Sequence, residues 1–464
     1  MVLHLGLSID GDSRVTLAVQ LRDALRRQIE EGALLPGTRV PSSRQLAVDL
    51  GVSRSVVVEA YEQLGAEGYL VSQRGSGTSV AATARTEVGS ALTPEDRAPA
   101  RALRDLRTGG SDVSGFPRQE WIRCISSVVS AAGPRELGYA PPSGLPVARH
   151  TLAGYLGRVR GVRTRPEHLM ITSGFAQGLA LLCRVLRDRG HDTLGVEDPG
   201  HPGEWKFIAD AGLRPVGIPV DRRGIRVDEL ARSGVRAVLT TPTSQFPTGV
   251  ALDPERRAEL VDWARSVDGY IVEDDFDAAF AGPSQRMPAL QSLAPDRVIY
   301  AGSASKVLAP ALRLGWLATP TELTAPVERL RAGWDLGCSG LEQLAFARLV
   351  DTGAFDRHLR RLRAEFQKRR QTVRQHISRH LPGVTLLGGD SGLQAYLVLP
   401  RRCAEEEMVQ AARRRSVLVR GGRFYALRDD DRPPALVVGY AGVRGAELGQ
   451  GLAELAAAYR DVIG

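Results

Sequence analysis

From Leu17 the apolar residues Leu17, Leu21, Leu25 and Ile29 recur at every fourth position, which predicts an amphipathic helix ending near the stretch EGALLPG. In the next run, TRVPSSRQLAVDLGVSRSVVVEAYEQLGAEGYL, Ser42 or Ser43 can cap a short helix through Leu50. Gly51 makes the turn, and Ser53 caps a second helix running to about Glu67. The stretch YLVSQRGSGTSVA then reads as two short strands joined by a glycine-rich turn, with Arg74, Gly75 and Gly77 at its tip. Residues 82–110 are rich in Ala, Arg, Pro, Thr and Gly without a sustained apolar period, and read as a linker. If flexible, about 29 such residues span roughly 30 Å root-mean-square, enough for the N-terminal unit to sit against a neighbouring subunit. Beyond Ser111, strand-like apolar runs alternate with helical segments, the pattern of an α/β domain with a mostly parallel sheet. Three runs, VRAVLTTPTSQFPTG, DGYIVEDDFDAAF and DRVIYAGSASK, each end a hydrophobic strand in polar residues. Open α/β sheets bind ligands outside those carboxyl ends, so the three ends can converge on one site.

At 464 residues the chain is long enough for two or three domains. A formal net charge of +8 points weakly to nucleic acid. Residues 1–81, however, hold eight arginines against nine acidic residues, so a DNA surface there must come from where the charges stand. The start of the second helix of the helix-turn-helix, Ser53, Arg54 and Ser55, can enter a major groove, flanked by Arg39 and Arg44, with the wing residues Arg74, Gly75 and Gly77 near the backbone. No stretch of about 18 uncharged apolar residues occurs, and the opening lacks a basic segment followed by an apolar run, so neither membrane nor export is expected. Cys124, Cys183, Cys338 and Cys403 lie far apart without metal-ligand spacing, which predicts reduced thiols, no metal and a cytoplasmic location.

The chemistry concentrates at a lysine. The chain has three lysines among 61 basic side chains, and one of them, Lys306, stands in GSASKVLAPALRLGW. An amine can lose its proton and attack a carbonyl, which a guanidinium cannot. Ser303 and Arg313 offer a hydroxyl and a fork for a phosphate, and ITSGFAQG offers backbone N–H groups at a helix start near Gly174. Asp274 or Asp275 offers a carboxylate; successive strand residues face opposite sides, so one of the two can point at a ring. An aldehyde cofactor with a phosphate and a basic pyridine nitrogen, pyridoxal 5'-phosphate, would use all of these groups.

Residues 14–81 resemble the winged helix-turn-helix of the GntR family of bacterial regulators, including the G-x-G-T wing at Gly75 to Thr78, although Val56 stands where that family often has Thr. Residues 111–464 resemble the fold-type I aminotransferases in the order of the glycine-rich helix start, EDPGHPG, PTSQFPTG, EDDFD and SASK with an arginine seven residues on. Joined, the two parts look like a MocR-type regulator, a GntR subfamily. The fold class implied is a mainly α winged helix-turn-helix followed by an α/β aminotransferase-like domain, with a small C-terminal subdomain from about residue 335. The resemblance makes Lys306 the Schiff-base lysine and Asp274 the partner of the pyridine nitrogen. Ser303, Arg313 and the turn Gly174, Phe175 and Ala176 become the phosphate cradle, and His201 lies over the ring where the family commonly has Tyr. It also implies a head-to-tail homodimer, double-stranded DNA as partner and a small-molecule effector, either the cofactor itself or an amino acid or amine.

Four further positions depart from what the resemblance leads one to expect. Phe276 and Phe246 stand where aminotransferases have Tyr and Asn donors to the ring oxygen, and their absence weakens catalytic tuning. Gly442 and Gly203 stand where a carboxylate-binding arginine can occur, and Arg420, Arg423 or Arg444 is available to replace it. The sequence thus points to a sensor rather than an enzyme; the alternative is a working aminotransferase with a DNA-binding module attached.

Overall fold

The fourfold apolar spacing forms the helix Leu17–Glu30, with Leu21, Leu25 and Ile29 buried and Leu17 at its half-exposed start. The computed structural model describes residues 15–73, 77–81, 104–282, 287–388, 392–428 and 430–463. It divides into two units, Met1–Ala98 and Pro99–Gly464.

In the first unit Ser42 caps the helix Ser43–Leu50 by accepting the Gln45 N–H at 3.2 Å. Gly51 then takes the left-handed conformation, φ 63°, that ends the helix cheaply. The next helix, Arg54–Ala66, starts at Ser53, but the Ser53 hydroxyl pairs with Ser55 Oγ at 2.8 Å instead of capping a backbone N–H. Strands Leu70–Gln73 and Gly77–Val80 pair antiparallel as the wing, and Arg39 bridges Ser79 beside them. Arg74 and Gly75, the expected tip, lie outside the described residues. Leu25, Leu46, Val57, Leu64 and Val80 close the core between the helices and the wing.

The second unit is built on a sheet of eight strands among the described residues. Its central strands, Val298–Ser303, Tyr270–Asp274, Ala237–Thr240, Thr193–Asp198 and Arg214–Asp221, run parallel in that order. Gly315–Ala318 lies antiparallel between Val298–Ser303 and Leu169–Thr172. Tyr270–Asp274 is buried along its whole length, as expected of a parallel strand covered on both faces. Toward the C-terminus an antiparallel sheet orders Thr385–Leu387, Gln394–Val398, Ala435–Gly439 and Arg420–Gly421.

The helix Gly340–Asp351, just past the expected start of a small subdomain at about residue 335, packs on the helices Arg118–Ala131, Pro146–Arg160 and Ala354–His380. The linker read over residues 82–110 is too long at its C-terminal end. Arg104–Asp105 pairs parallel with Val417–Leu418, Leu106 is fully buried, and Leu106 O accepts the Gly439 N–H at 2.7 Å. A two-residue strand has no periodicity to read, and its partners lie over 300 positions away.

Candidate functional site

Strand ends bring the predicted groups to one cavity of about 420 Å³, lined by Lys306, Asp274, Ser303, Arg313, His201, Phe175 and Ala176 among others. Gly174 stands directly behind it as the residue before the helix Phe175–Asp188. Its φ of 93° suits glycine, and a Cβ there would lie 2.9 Å from Arg313 Nη2. Arg313 itself adopts φ 46° and donates from Nη2 to Ser173 O at 2.7 Å, which holds its guanidinium at the helix start. The first N–H groups of a helix have no partner within it, so this corner pairs a cation with free donors, an arrangement suited to a phosphate.

Asp274 ends its strand buried, and its Oδ1 has no hydrogen-bond partner among the described residues. Burial, and then the charge of Glu204, push its carboxyl well above the usual range. Asp275 turns to the opposite side: it pairs with Arg160 at 2.7 Å and accepts from Tyr300 Oη at 2.6 Å and Thr243 Oγ1 at 3.1 Å. The alternation of the strand therefore leaves Asp274, not Asp275, open to the cavity. Lys306 donates from Nζ to Gly109 O at 2.9 Å. Burial lowers its pKa, opposed by the charge of Asp274. His201 is held below its usual value by burial and by Lys306, and its ring lies 5.2 Å from that of Phe246. Phe246 and Phe276 also line the cavity and meet edge-on at 6.1 Å.

These residues fit pyridoxal 5'-phosphate: a buried carboxylate oxygen lacks a partner where a pyridinium would supply one, and the glycine-cleared helix start faces an arginine. Sequence reasoning missed Glu204, which lines the same cavity and whose carboxyl is raised by burial and by Glu197. Its place three residues after His201, on the same side of a helix turn, was the available signal. It also missed the wall made by Arg107, Thr108, Gly109 and Gly110, because these were assigned to the linker.

In the first unit Arg39, Arg44, Ser53, Arg54, Ser55 and Gly77 are exposed. Arg54 Nε donates to Ser43 Oγ at 3.3 Å, tying the starts of the two helices together. Arg22 and Arg26 are ion-paired with Asp23 and Glu67, whereas Arg39, Arg44 and Arg54 form no ion pair among the described residues. The near balance of charge thus hides uncompensated arginines.

The model of the bacterial regulatory proteins of the gntR family matches residues 17–80, and that of aminotransferase class I and II matches residues 110–455. The chain is 32% identical to the probable rhizopine catabolism regulatory protein MocR of Rhizobium meliloti, over 98% of this chain and 96% of the relative. It is 33% identical to the HTH-type pyridoxine biosynthesis transcriptional regulator PdxR of Corynebacterium glutamicum, over 86% of each. Among solved structures, an archaeal alanine:glyoxylate aminotransferase superposes with a TM-score of 0.71 at 26% identity, covering 77% of this chain and 91% of the other. Pyrococcus horikoshii kynurenine aminotransferase, in complex with PMP, shares the fold at a TM-score of 0.72 and 24% identity, covering 79% and 92%. Two family models matched in tandem, and relatives alike along both parts, lead to one conclusion: the chain belongs to the MocR-type regulators of the GntR family, in which a winged helix-turn-helix precedes an aminotransferase class I and II domain.

Proposed function

We propose that this chain is a transcriptional regulator of the cytoplasm that binds operator DNA through its winged helix-turn-helix and pyridoxal 5'-phosphate through its aminotransferase-like domain. Lys306 holds the cofactor, and Asp274 faces its ring nitrogen. Ser303, Arg313 and the turn Gly174, Phe175 and Ala176 hold its phosphate, and His201 covers its ring. When bound, the cofactor supplies an aldehyde carbon and an electron-poor ring. The observation that carries the reading is the unpartnered, buried Asp274 carboxylate in one cavity with the Lys306 amine and a helix start, on a chain that also carries a DNA-reading unit. Arg39, Arg44, Ser53, Arg54, Ser55, Arg74, Gly75 and Gly77 form the DNA surface, and the working assembly is a head-to-tail homodimer.

Phe246 and Phe276 put rings, not hydrogen-bond donors, on the cavity wall, which favours sensing over turnover. The names of the relatives, one for rhizopine catabolism and one for pyridoxine biosynthesis, support a metabolite-linked regulator. Cofactor loading therefore shifts DNA affinity, which requires that it bind the DNA-competent and incompetent arrangements unequally. The test compares promoter affinity for cofactor-free protein, cofactor-loaded protein and Lys306→Ala, with an amino-acid turnover panel alongside. A difference between loaded and empty protein that Lys306→Ala abolishes is expected, without sustained transamination. The aminotransferase fold of its structural neighbours supports a second reading, a working enzyme, and multiple turnovers with any amino acid would establish it.

A further inference from the structure

The helix-turn-helix unit contributes none of the chain's positive excess. Residues 1–98 hold 10 arginines against 12 acidic residues, so the formal charge of +8 comes from the second unit. Much of it stands on one element: the helix Ala354–His380 has eight arginines and Lys368 against Asp356 and Glu365. Both acids are taken, Asp356 by Arg158 at 3.5 Å and Glu365 by the buried Arg369 at 3.1 Å. The apolar face of the helix is buried through Phe355, Leu359, Phe366, Val373 and Ile377.

Arg360, Arg361, Lys368 and Arg379 are exposed, and their side chains form no hydrogen bond or ion pair among the described residues. Arg361, Lys368 and Arg379 stand 7 and 11 positions apart, close to whole turns of a helix, so they form one stripe. At 1.5 Å per residue the stripe is about 27 Å long. Duplex DNA carries one negative charge per about 1.7 Å of its axis, so a cation stripe of that length meets phosphates throughout. Between the cations the exposed face presents Ala364, Gln367, Gln371, Gln375 and Ser378. Amides and hydroxyls donate to phosphate oxygens, whereas a helix that enters a membrane surface needs its apolar face free, and here that face is already packed.

We propose that the helix Ala354–His380 is a second nucleic-acid surface, on which Arg361, Lys368 and Arg379, with Arg360 beside them, neutralise backbone phosphates of duplex DNA without reading bases. It is separate from the surface proposed on the helix-turn-helix, and rests with it on the reading that this chain acts on DNA. It also accounts for why the unit with the helix-turn-helix can be nearly neutral: the sequence-independent attraction is supplied by the other unit.

The test measures fluorescence anisotropy of the full chain, loaded with pyridoxal 5'-phosphate, on a mixed-sequence duplex of about 60 base pairs at several salt concentrations. Arg361→Gln, Lys368→Gln and Arg379→Gln together are expected to lower the slope of log affinity against log salt by about 2.7, and each singly by about 0.9, the value for one phosphate contact. The control replaces three other exposed arginines of the second unit, Arg222→Gln, Arg402→Gln and Arg414→Gln together, and is expected to lower it by less than about 0.9. Thermal melting and cofactor absorbance are expected to match wild type in all of these, because the replaced side chains are exposed. An unchanged slope in the stripe variants, or an equal fall in the control, overturns the proposal. Loss of binding to phosphatidylglycerol vesicles with DNA binding intact overturns it too, and makes the stripe a lipid surface. Arg54→Ala in the same assay tests the first unit separately: an unaltered slope there removes the helix-turn-helix contact and leaves the stripe standing.

Discussion

Asp274 Oδ1 is buried without a hydrogen-bond partner among the described residues, and that fact sets what the cavity asks of a ligand. Asp274→Ala is expected to weaken pyridoxal 5'-phosphate binding by about tenfold or more, because a charged hydrogen bond is lost; equilibrium dialysis followed by absorbance gives the affinity. Gly174→Ala should weaken binding too, since the added methyl meets the Arg313 guanidinium and the backbone must hold a strained φ. Gly190→Ala carries similar strain at φ 83° but meets open space, so it serves as the control for strain alone. Cofactor affinity that is equal in the two glycine variants would argue against the cradle. Buried acidic side chains also set a pH dependence. Burial and the charge of Asp275 push Asp277 up to about 8, and Asp274 and Glu204 shift the same way. A raised carboxyl keeps its proton in the folded state after the unfolded chain has released it. This contribution to stability is therefore present below the unfolded value of 3.8 and is lost as pH rises toward about 8. His201, lowered by burial, acts in the opposite sense, but only as pH falls through 6.5. Cofactor-free protein should accordingly melt at a lower temperature at roughly pH 8.5 than at roughly pH 6.5, and Asp277→Asn should flatten that slope. Thermal unfolding across the range decides it, and an identical slope in wild type and variant would remove Asp277 from the account.

At the scale of elements, the helix Arg54–Ala66 is the reading head of the proposed function, its first turn exposed and its neighbouring arginines without ion pairs among the described residues. Arg54→Ala is expected to lower operator affinity and to reduce the slope of log affinity against log salt by about 0.9, the value for one phosphate contact. Loading with pyridoxal 5'-phosphate should not change. Fluorescence anisotropy at several salt concentrations measures both quantities, and an unaltered slope would move the contact off this helix. The same element shows how a cap legible in sequence can be used differently: Ser53 begins the helix, yet its hydroxyl is taken by Ser55, so it is not fixed on a backbone N–H. In the larger unit, hydrophobic strands ending in polar residues announced three walls of the cavity. The fourth wall, residues 107–110, did not announce itself, because Arg104–Asp105 is held by pairing with Val417–Leu418 and not by any local pattern.

For the whole molecule, that fourth wall means that residues 104–110 belong to the second unit and complete the proposed cofactor cavity. A fragment starting at residue 99 should fold and load cofactor, whereas one starting at 111 should lose both stability and loading. The second lacks the buried Leu106 and the Gly109 carbonyl that accepts from Lys306. Thermal melts and absorbance of the two fragments test this, and equal behaviour would return residues 104–110 to the linker. Sequence alone determined the order of domains, the helix-turn-helix and the parallel strands, and it put forward Lys306, Ser303, Arg313, the turn at Gly174 and one of two aspartates as candidates, because each lies in a local pattern of spacing or in a strand-end motif. It left Asp274 and Asp275 open and cut the linker seven residues too late. Tertiary structure decided those points, since which carboxylate faces a cavity and where a short strand finds its partner both depend on groups brought together from distant parts of the chain.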